Sequence, residues 1–326
     1  ALLDDGTAVV HYTAPLQSYE VIARIDLATG RETVMANLAC DPTFPGRGTS
    51  PEHHGGNPAV GADGSIVVGI GDFGGFNIAE EPEWVAGKLI RIGADGKVEQ
   101  LARGFRNPFD LVWDSARQRA IVPDNGELTD DEINVVHLGD DCGWPRTSGN
   151  RPPVAGTLAP IYVFPTVVAP TGIAALNDRD PVLRGGYLVG SFVTRALYWF
   201  PDIDVLPLPA PLALIQGETA AIIDVAQAPT GAIVFVTGAF DGSSAIYRLV
   251  PPQRGDCNGD GVVDLRDLEA LRHELGDGNP ERALEAQNGA FRGSLGCDVN
   301  GDGSIDSEDL IALGRLLGLR MRLTRP

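Results

Sequence analysis

Two twelve-residue stretches, DCNGDGVVDLRD (256–267) and DVNGDGSIDSED (298–309), limit what the C-terminal part of this chain can become. Each places oxygen-bearing side chains at loop positions 1, 3, 5, 9 and 12, with glycine at position 6. A hard cation such as Ca²⁺ needs that shell of oxygens. The glycine permits the sharp turn, and position 7 offers its backbone carbonyl. The candidate ligands are Asp256, Asn258, Asp260, the carbonyl of Val262, Asp264 and Asp267 in the first loop. In the second they are Asp298, Asn300, Asp302, the carbonyl of Ser304, Asp306 and Asp309. A pair of acidic turns is the plain alternative, because Asn-Gly-Asp-Gly is also turn chemistry. Two matches, each followed by an apolar-periodic segment, favour the metal loop. LRDLEALRHEL and SEDLIALGRLLGL are expected to be helices, the second with Leu310, Leu313, Leu316 and Leu317 on one face.

Both loops end in Asp rather than Glu. A duplicated Asp-terminated loop plus helix, spread over 255–320, resembles a type I dockerin. The resemblance implies a small α-helical module at 256–322 that folds around two Ca²⁺ and docks onto a cohesin-type domain or another protein. In that family, loop positions 10 and 11 help choose the partner. Here they are Leu265 and Arg266, then Ser307 and Glu308, so the two halves differ. PPQRG (251–255) reads as the linker to this tail.

A chain of 326 residues is long enough for two domains, which leaves about 250 residues for one large core ahead of the tail. The formal net charge of −19 argues against a nucleic-acid partner, which needs clusters of Lys and Arg. It is equally wrong for an anionic membrane surface. No apolar run reaches the roughly 18 residues of a membrane span. No signal peptide is visible, and the opening at Ala1 reads as a processed or truncated start. Four cysteines with calcium modules suit an oxidising compartment, so a secreted or cell-surface location is expected. Cys257 and Cys297 open the two loops and could bridge the tail, leaving Cys40 with Cys142. Four buried thiols are the alternative.

Residues 1–250 carry almost no helical periodicity. Short Val- and Ile-rich segments recur instead, among them TAVVHYT, VIARIDL, GSIVVGIG, KLIRIG, RAIVPD, GYLVGSF, ALYWF and AIVFVTG. Gly, Pro and Asp-Gly break them, with hairpin signals at Asp5-Gly6, Asp63-Gly64, Asp95-Gly96 and Asp241-Gly242. PAVGADGSIVVGIGD and DVAQAPTGAIVFVTG repeat one strand–turn–strand unit. A β-propeller of about five blades, the first incomplete, explains that repeat better than a sandwich. The Pro-rich 201–215 stretch is expected to connect two blades. Gly69 to Gly74 fits G-x-G-x-x-G, but the GFNIAEEPEW that follows offers no helix, so a dinucleotide site is rejected.

Seven segments in order, HHGGNPAVGADGSIVVGIGDFGG, AGKLIRIGADG, GFRNPFDLVWD, DDEINVVHLGDDCGWP, VVAPTGIAAL, GYLVGSFVTRALYWF and DVAQAPTGAIVFVTG, resemble the soluble quinoprotein glucose and aldose sugar dehydrogenases. The resemblance runs from about residue 12 to 250. It implies a six-bladed propeller whose first blade is missing here. It also implies pyrroloquinoline quinone (PQQ), an active-site Ca²⁺ and a sugar substrate. Position by position, it makes His53 the general base and Asp72 the carboxylate that orients it. His54 is the alternative base one residue on. Arg106 and Asn107 of FRNP would face the cofactor, Arg106 stabilising the reduced quinone. The carbonyls of Gly126 and Glu127 would hold the Ca²⁺, and Asp131 and Glu132 would form a structural acidic turn.

The departures lie in the cations a polycarboxylate cofactor needs. Val193 stands where the family has Lys or Arg, with Arg195 two residues on. Ala221 and Ile223 stand where it has a cationic pair. A PQQ-dependent aldose dehydrogenase and a non-catalytic propeller that binds carbohydrate or protein are therefore both readings of the chain.

Overall fold

The structure, a computed structural model, describes residues 1–14, 19–39, 52–75, 78–152, 154–177, 183, 185–217, 220–238, 242–249, 253–258, 260–276, 294–302 and 305–319. Among them the body forms five antiparallel sheets. Strands β1 (Thr7–Thr13), β2 (Tyr19–Asp26) and β3 (Glu32–Ala39) make the first. The second holds β4 (Ala59–Val60), β5 (Ile66–Ile70), β6 (Lys88–Ile92) and β7 (Val98–Arg103). The third holds β8 (Val112–Asp114), β9 (Arg119–Asp124), β10 (Glu132–Val136) and β11 (Tyr162–Val163). The fourth is β12 (Pro170–Ala175), β13 (Tyr187–Ser191), β14 (Leu197–Phe200) and β15 (Leu212–Ile215). The fifth is β16 (Ala221–Gln227), β17 (Ile233–Gly238) and β18 (Ala245–Leu249). Neighbours in each sheet are neighbours in sequence, the meander of a propeller blade. The all-β propeller expectation holds, with five sheets in place of the family's six. Residues 201–215 do not link two blades. They carry β15 and join it to β14 inside the fourth sheet.

The chain divides into two compact units. One is Ala1–Ala174 with Val189–Thr194 and Val205–Leu208; the other is Ala175–Leu188 with Arg195–Asp204 and Pro209–Pro326. In the first unit, strand alternation decides the packing. Ile66, Val68 and Ile70 of β5 share a core with Val9 and Ile22 of the first sheet. Val67 points the other way, to a core with Leu101, Trp113 and Val122. A strand buried on both faces reads as a continuous apolar run, as IVVGI does. Each such side chain contributes about 1.5–3 kcal/mol. The turns are set by Asp-Gly. Gly64 and Gly96 take φ of 76° and 80°, and the preceding Asp63 and Asp95 accept from Ser65 N and Lys97 N at 3.1 and 3.0 Å.

The tail holds α1 (Leu265–Gly276), the single turn α2 (Ser294–Cys297) and α3 (Ser307–Leu316). Asp306 caps α3 by accepting from Glu308 N, while Asp309 reaches back to Asp306 N. The small core is Cys257, Leu271, Cys297, Ile305 and Leu313, with Leu310 and Leu317 packed on it. Leu316 is 58% exposed and drops off the expected face. Cys142 and Cys257 are buried free thiols, so the tail bridge does not form here; Cys40 lies outside the described residues.

One buried cation fastens the segment that follows Asp72. Lys88 is 0% exposed, and its Nζ donates to the carbonyls of Ile78, Ala79 and Ala86 at 3.4, 2.7 and 2.8 Å. Burial pulls its pKa down to about 8. Lys88→Met keeps the volume but removes the ammonium from the Ala79 and Ala86 carbonyls, while Ile78 O keeps the Glu81 amide. It should cost about 2–4 kcal/mol in urea unfolding, and an unchanged midpoint would contradict the assignment.

Candidate functional site

β5 ends at Ile70, and the chain turns through Phe73 and Gly74, both at positive φ. The Gly69–Gly74 string is thus a strand-end turn. It carries Asp72 into the interior, where the residue is 1% exposed. Asp72 Oδ1 accepts from His53 Nδ1 at 2.6 Å and from Gly74 N at 2.9 Å. Oδ2 accepts from Trp144 Nε1 at 2.9 Å. The Asp72 amide donates to Arg106 O at 2.8 Å. A carboxylate on Nδ1 fixes the imidazole as the Nδ1–H tautomer and leaves Nε2 as the acceptor. His53 Nε2 makes no hydrogen bond among the described residues.

His53, not His54, therefore meets Asp72. His54 turns to Glu20, with Nδ1 at 2.6 Å from Oε1, and stacks on Phe73 at 4.6 Å between ring centroids.

Arg106 completes the group. Its guanidinium lies 5.7 Å from the Trp144 ring centroid, and Nη1 donates to Asn125 O and Gly126 O at 3.1 and 2.8 Å. Nε and Nη2 make no hydrogen bond among the described residues, so a half-buried cation keeps donors in hand for an anionic or carbonyl oxygen. Asn107 contributes backbone: its amide donates to Asp124 Oδ1 at 2.6 Å, and its carbonyl accepts from Asn125. Asp124 is buried; burial, then the Glu132 charge, push its carboxyl well above the usual range.

Of the two carbonyls expected to hold calcium, that of Gly126 already faces the Arg106 guanidinium. A divalent ion on Gly126 O would stand against a fixed positive charge, so that carbonyl does not fit Ca²⁺ while Arg106 holds it. Asp131 is structural, as expected. It is 2% exposed and accepts from Gly126 N, Val168 N and Ala169 N. Val193 is apolar and 52% exposed. Arg195, Ala221 and Ile223 belong to the second unit, where the β16 register slips between Ile222 and Asp224.

The two acidic loops share one hydrogen-bond frame. Asp267 accepts from Asn258 N and Asp264 N at 3.1 and 2.7 Å; Asp309 accepts from Asn300 N and Asp306 N at 3.0 and 2.9 Å. Asp256 and Asp298 take the amides of the Gly turns. Val262 N donates to Asp260, and Ser304 lies outside the described residues. The donor set fits Ca²⁺ in its chemistry: oxygens alone, on a first loop turned at its sixth position by Gly261 at φ 84°; the matching Gly303 of the second loop lies outside the described residues. No three acidic, His or Cys side chains among the described residues close on one point. In the first loop Arg266 stands in the way, holding Asp260 and Asp264 at 2.8 Å each.

Trp144, His11 and Glu20 carry no motif and were not singled out as site residues by the sequence. The Trp144 indole proves to be a donor to the carboxylate that meets His53.

The fit around His53 is tight. A methyl group on Gly71 would lie 2.4 Å from His53 O and 2.7 Å from its Cβ. Gly71→Ala should displace His53 from Asp72 and cost about 1–3 kcal/mol, read as a lower melting point and loss of the downfield Nδ1–H proton resonance. Retention of that resonance would refute the contact.

A family profile described as Glucose / Sorbosone dehydrogenase matches residues 43–248, and one described as Dockerin type I domain matches 254–318. The chain is 26% identical over 226 residues to an uncharacterized protein of Synechocystis, covering 57% of this chain and 53% of that one. It is 25% identical over 233 residues to the aldose sugar dehydrogenase YliI of Escherichia coli, covering 62% and 60%. The chain thus spans just over half the length of these relatives. A crystal structure of a glucose dehydrogenase superposes at TM-score 0.64 with 19% identity, over 75% of this chain and 78% of that one. The PQQ-bound aldose sugar dehydrogenase of Streptomyces coelicolor superposes at 0.61 with 24% identity, over 75% of each. These likenesses speak for the fold. With its profile match covering most of the propeller body, the chain belongs to the glucose/sorbosone dehydrogenase family and carries a type I dockerin domain behind it.

Proposed function

We propose that the propeller is a quinone-dependent aldose dehydrogenase, held in a secreted assembly by its dockerin. The observation that carries this reading is the His53–Asp72–Trp144 relay beside an Arg106 with free donors. His53 Nε2 takes the proton of the sugar's anomeric hydroxyl. Asp72 stabilises the imidazolium that forms, and the Trp144 N–H keeps Asp72 aimed. Arg106 would face the quinone and meet the charge gained on its oxygens. A bound quinone would supply the hydride acceptor, the C1 hydride and hydroxyl proton leaving as the sugar becomes a lactone. No step is assigned to an ion at Gly126.

A second reading, a propeller that binds without turnover, is favoured by Val193 in the place of a cation and by the Arg106 hold on Gly126 O. The tail, through Asp256 to Asp267 and Asp298 to Asp309, would bind two Ca²⁺ and a cohesin-type partner. No helix among the described residues is long and apolar enough to cross a membrane.

The two readings separate on one assay. Purified protein given PQQ, an aldose and a redox dye should reduce the dye, and His53→Ala should lower that rate by about 10²–10⁴-fold while sparing quinone binding. Quinone that leaves the protein's absorbance unchanged would give the binding reading the place. For the tail, the acidic ligands repel one another without metal. A chelator should remove the helical circular dichroism of α1 and α3 and leave the β signal intact. Helices indifferent to chelator would end the calcium assignment.

A further inference from the structure

The segment that carries His53 is clamped by a second set of ionisable groups. His11 and Thr13 lie on one face of β1, and Glu20 on β2 is paired opposite Thr13. Glu20 is 0% exposed. Its Oε1 meets His54 Nδ1 at 2.6 Å, its Oε2 meets His11 Nε2 at 3.0 Å, and Thr13 Oγ1 donates at 3.2 Å. The other ring nitrogen of His11 lies 2.8 Å from Gly56 O. One buried carboxylate therefore gathers two histidines, and through them residues 54 and 56 are tied to the first sheet. Burial by itself would raise the Glu20 pKa; hydrogen bonds from His11 and His54 outweigh it and bring it to about 2.

The clamp has something to restrain. His53 has φ 57°, a left-handed backbone that costs a non-glycine residue about 1–3 kcal/mol unless its neighbours impose it. On one side Gly71 lies hard against its carbonyl and Cβ. On the other, the bonds at His54 and Gly56 hold the chain just after it. Release of those two bonds would let His53 relax toward ordinary φ and rotate its ring away from Asp72.

We propose that Glu20, with His11 and His54, is the positioning device for His53: it fixes the strained backbone that sets His53 Nδ1 on Asp72, and touches neither sugar nor quinone. The assignment rests on the dehydrogenase reading for its kinetic consequence, but not for its geometry.

Glu20→Gln keeps the shape and leaves one of the two histidines without its acceptor. With the full-length protein we expect two changes. The downfield Nδ1–H proton resonance of the His53–Asp72 bond should broaden or vanish in the cofactor-free protein. Dye-linked kcat should fall about 10- to 100-fold, with KM for the aldose within about two-fold, because a small misplacement of a base acts on the chemical step. His54→Asn removes one tie and leaves the His11–Glu20 pair. It serves if Glu20→Gln does not fold, and the same loss of the resonance is expected. An unchanged resonance in a folded variant overturns the proposal, as does an unchanged kcat. A lower melting point with kcat per folded molecule intact would make Glu20 structural and also overturn it. If the wild type shows no turnover, the dehydrogenase reading fails, while the resonance still decides the positioning role.

Discussion

A carboxylate taken out of water must find donors, and here most of the donors it finds lie in the loops between strands. Asp72 gathers His53, Gly74 and Trp144. Asp110 takes Ile173 N, and Asp131 takes Gly126, Val168 and Ala169. Asp124 holds the Arg106 and Asn107 amides. These acids are buried, and each would cost several kcal/mol if stranded. Loop position is thereby coupled to charge burial, and the sheets need supply only a rigid frame. The tail repeats the device: Asp267 and Asp309 are 0% exposed and each binds two loop amides. Part of the chain's acidic composition is therefore interior framework rather than a solvated surface.

The site draws on that framework in layers. Asp72 orients His53, and Trp144 and Gly74 orient Asp72. Arg106 sits over the same indole and donates to two carbonyls of the next loop. The Lys88 ammonium plays the opposite part, a buried cation for three carbonyls of the 78–86 segment. Charges of both signs thus replace the backbone pairing that irregular segments lack. The left-handed φ of His53 fits this scheme, since strain persists where surroundings over-determine it.

The balance between enzyme and binder turns on cations. Arg106 has donors to spend, yet it already occupies Gly126 O, and Val193 offers no charge. A cofactor with several carboxylates would have to exchange its hydration for fewer ionic partners than the family pattern provides. In the tail, Arg266 spans Asp260 and Asp264 of the first loop, while the second loop has Glu308 at the same place. The two loops therefore carry different charge at these positions.

Strands buried on both faces, such as IVVGI and RAIVPD, were legible because their apolar runs are continuous. Short or outer strands such as β7 and β11 were not: two residues, or a pattern half exposed, leave no periodic signal. The two acidic loops and their helices were readable because their ligands are fixed by spacing along one segment. His53, Asp72 and Arg106 were found through resemblance, and the sequence itself left His53 and His54 as rivals. Tertiary structure decides which of them meets Asp72, since that depends on which carboxylate each ring reaches. Asp72 lies 19 residues from His53, and Glu20 lies 34 from His54. The roles of Trp144, 72 residues from Asp72, and of Glu20 likewise exist only once separate sheets are brought together, because a hydrogen bond is a statement about distance in space. The sequence by itself determined the β-rich body, the turns and the oxygen-rich pattern of the two acidic loops, all of which are local; the burial of single acidic and basic groups among distant loops, and with it the geometry of the site, was decided by the fold.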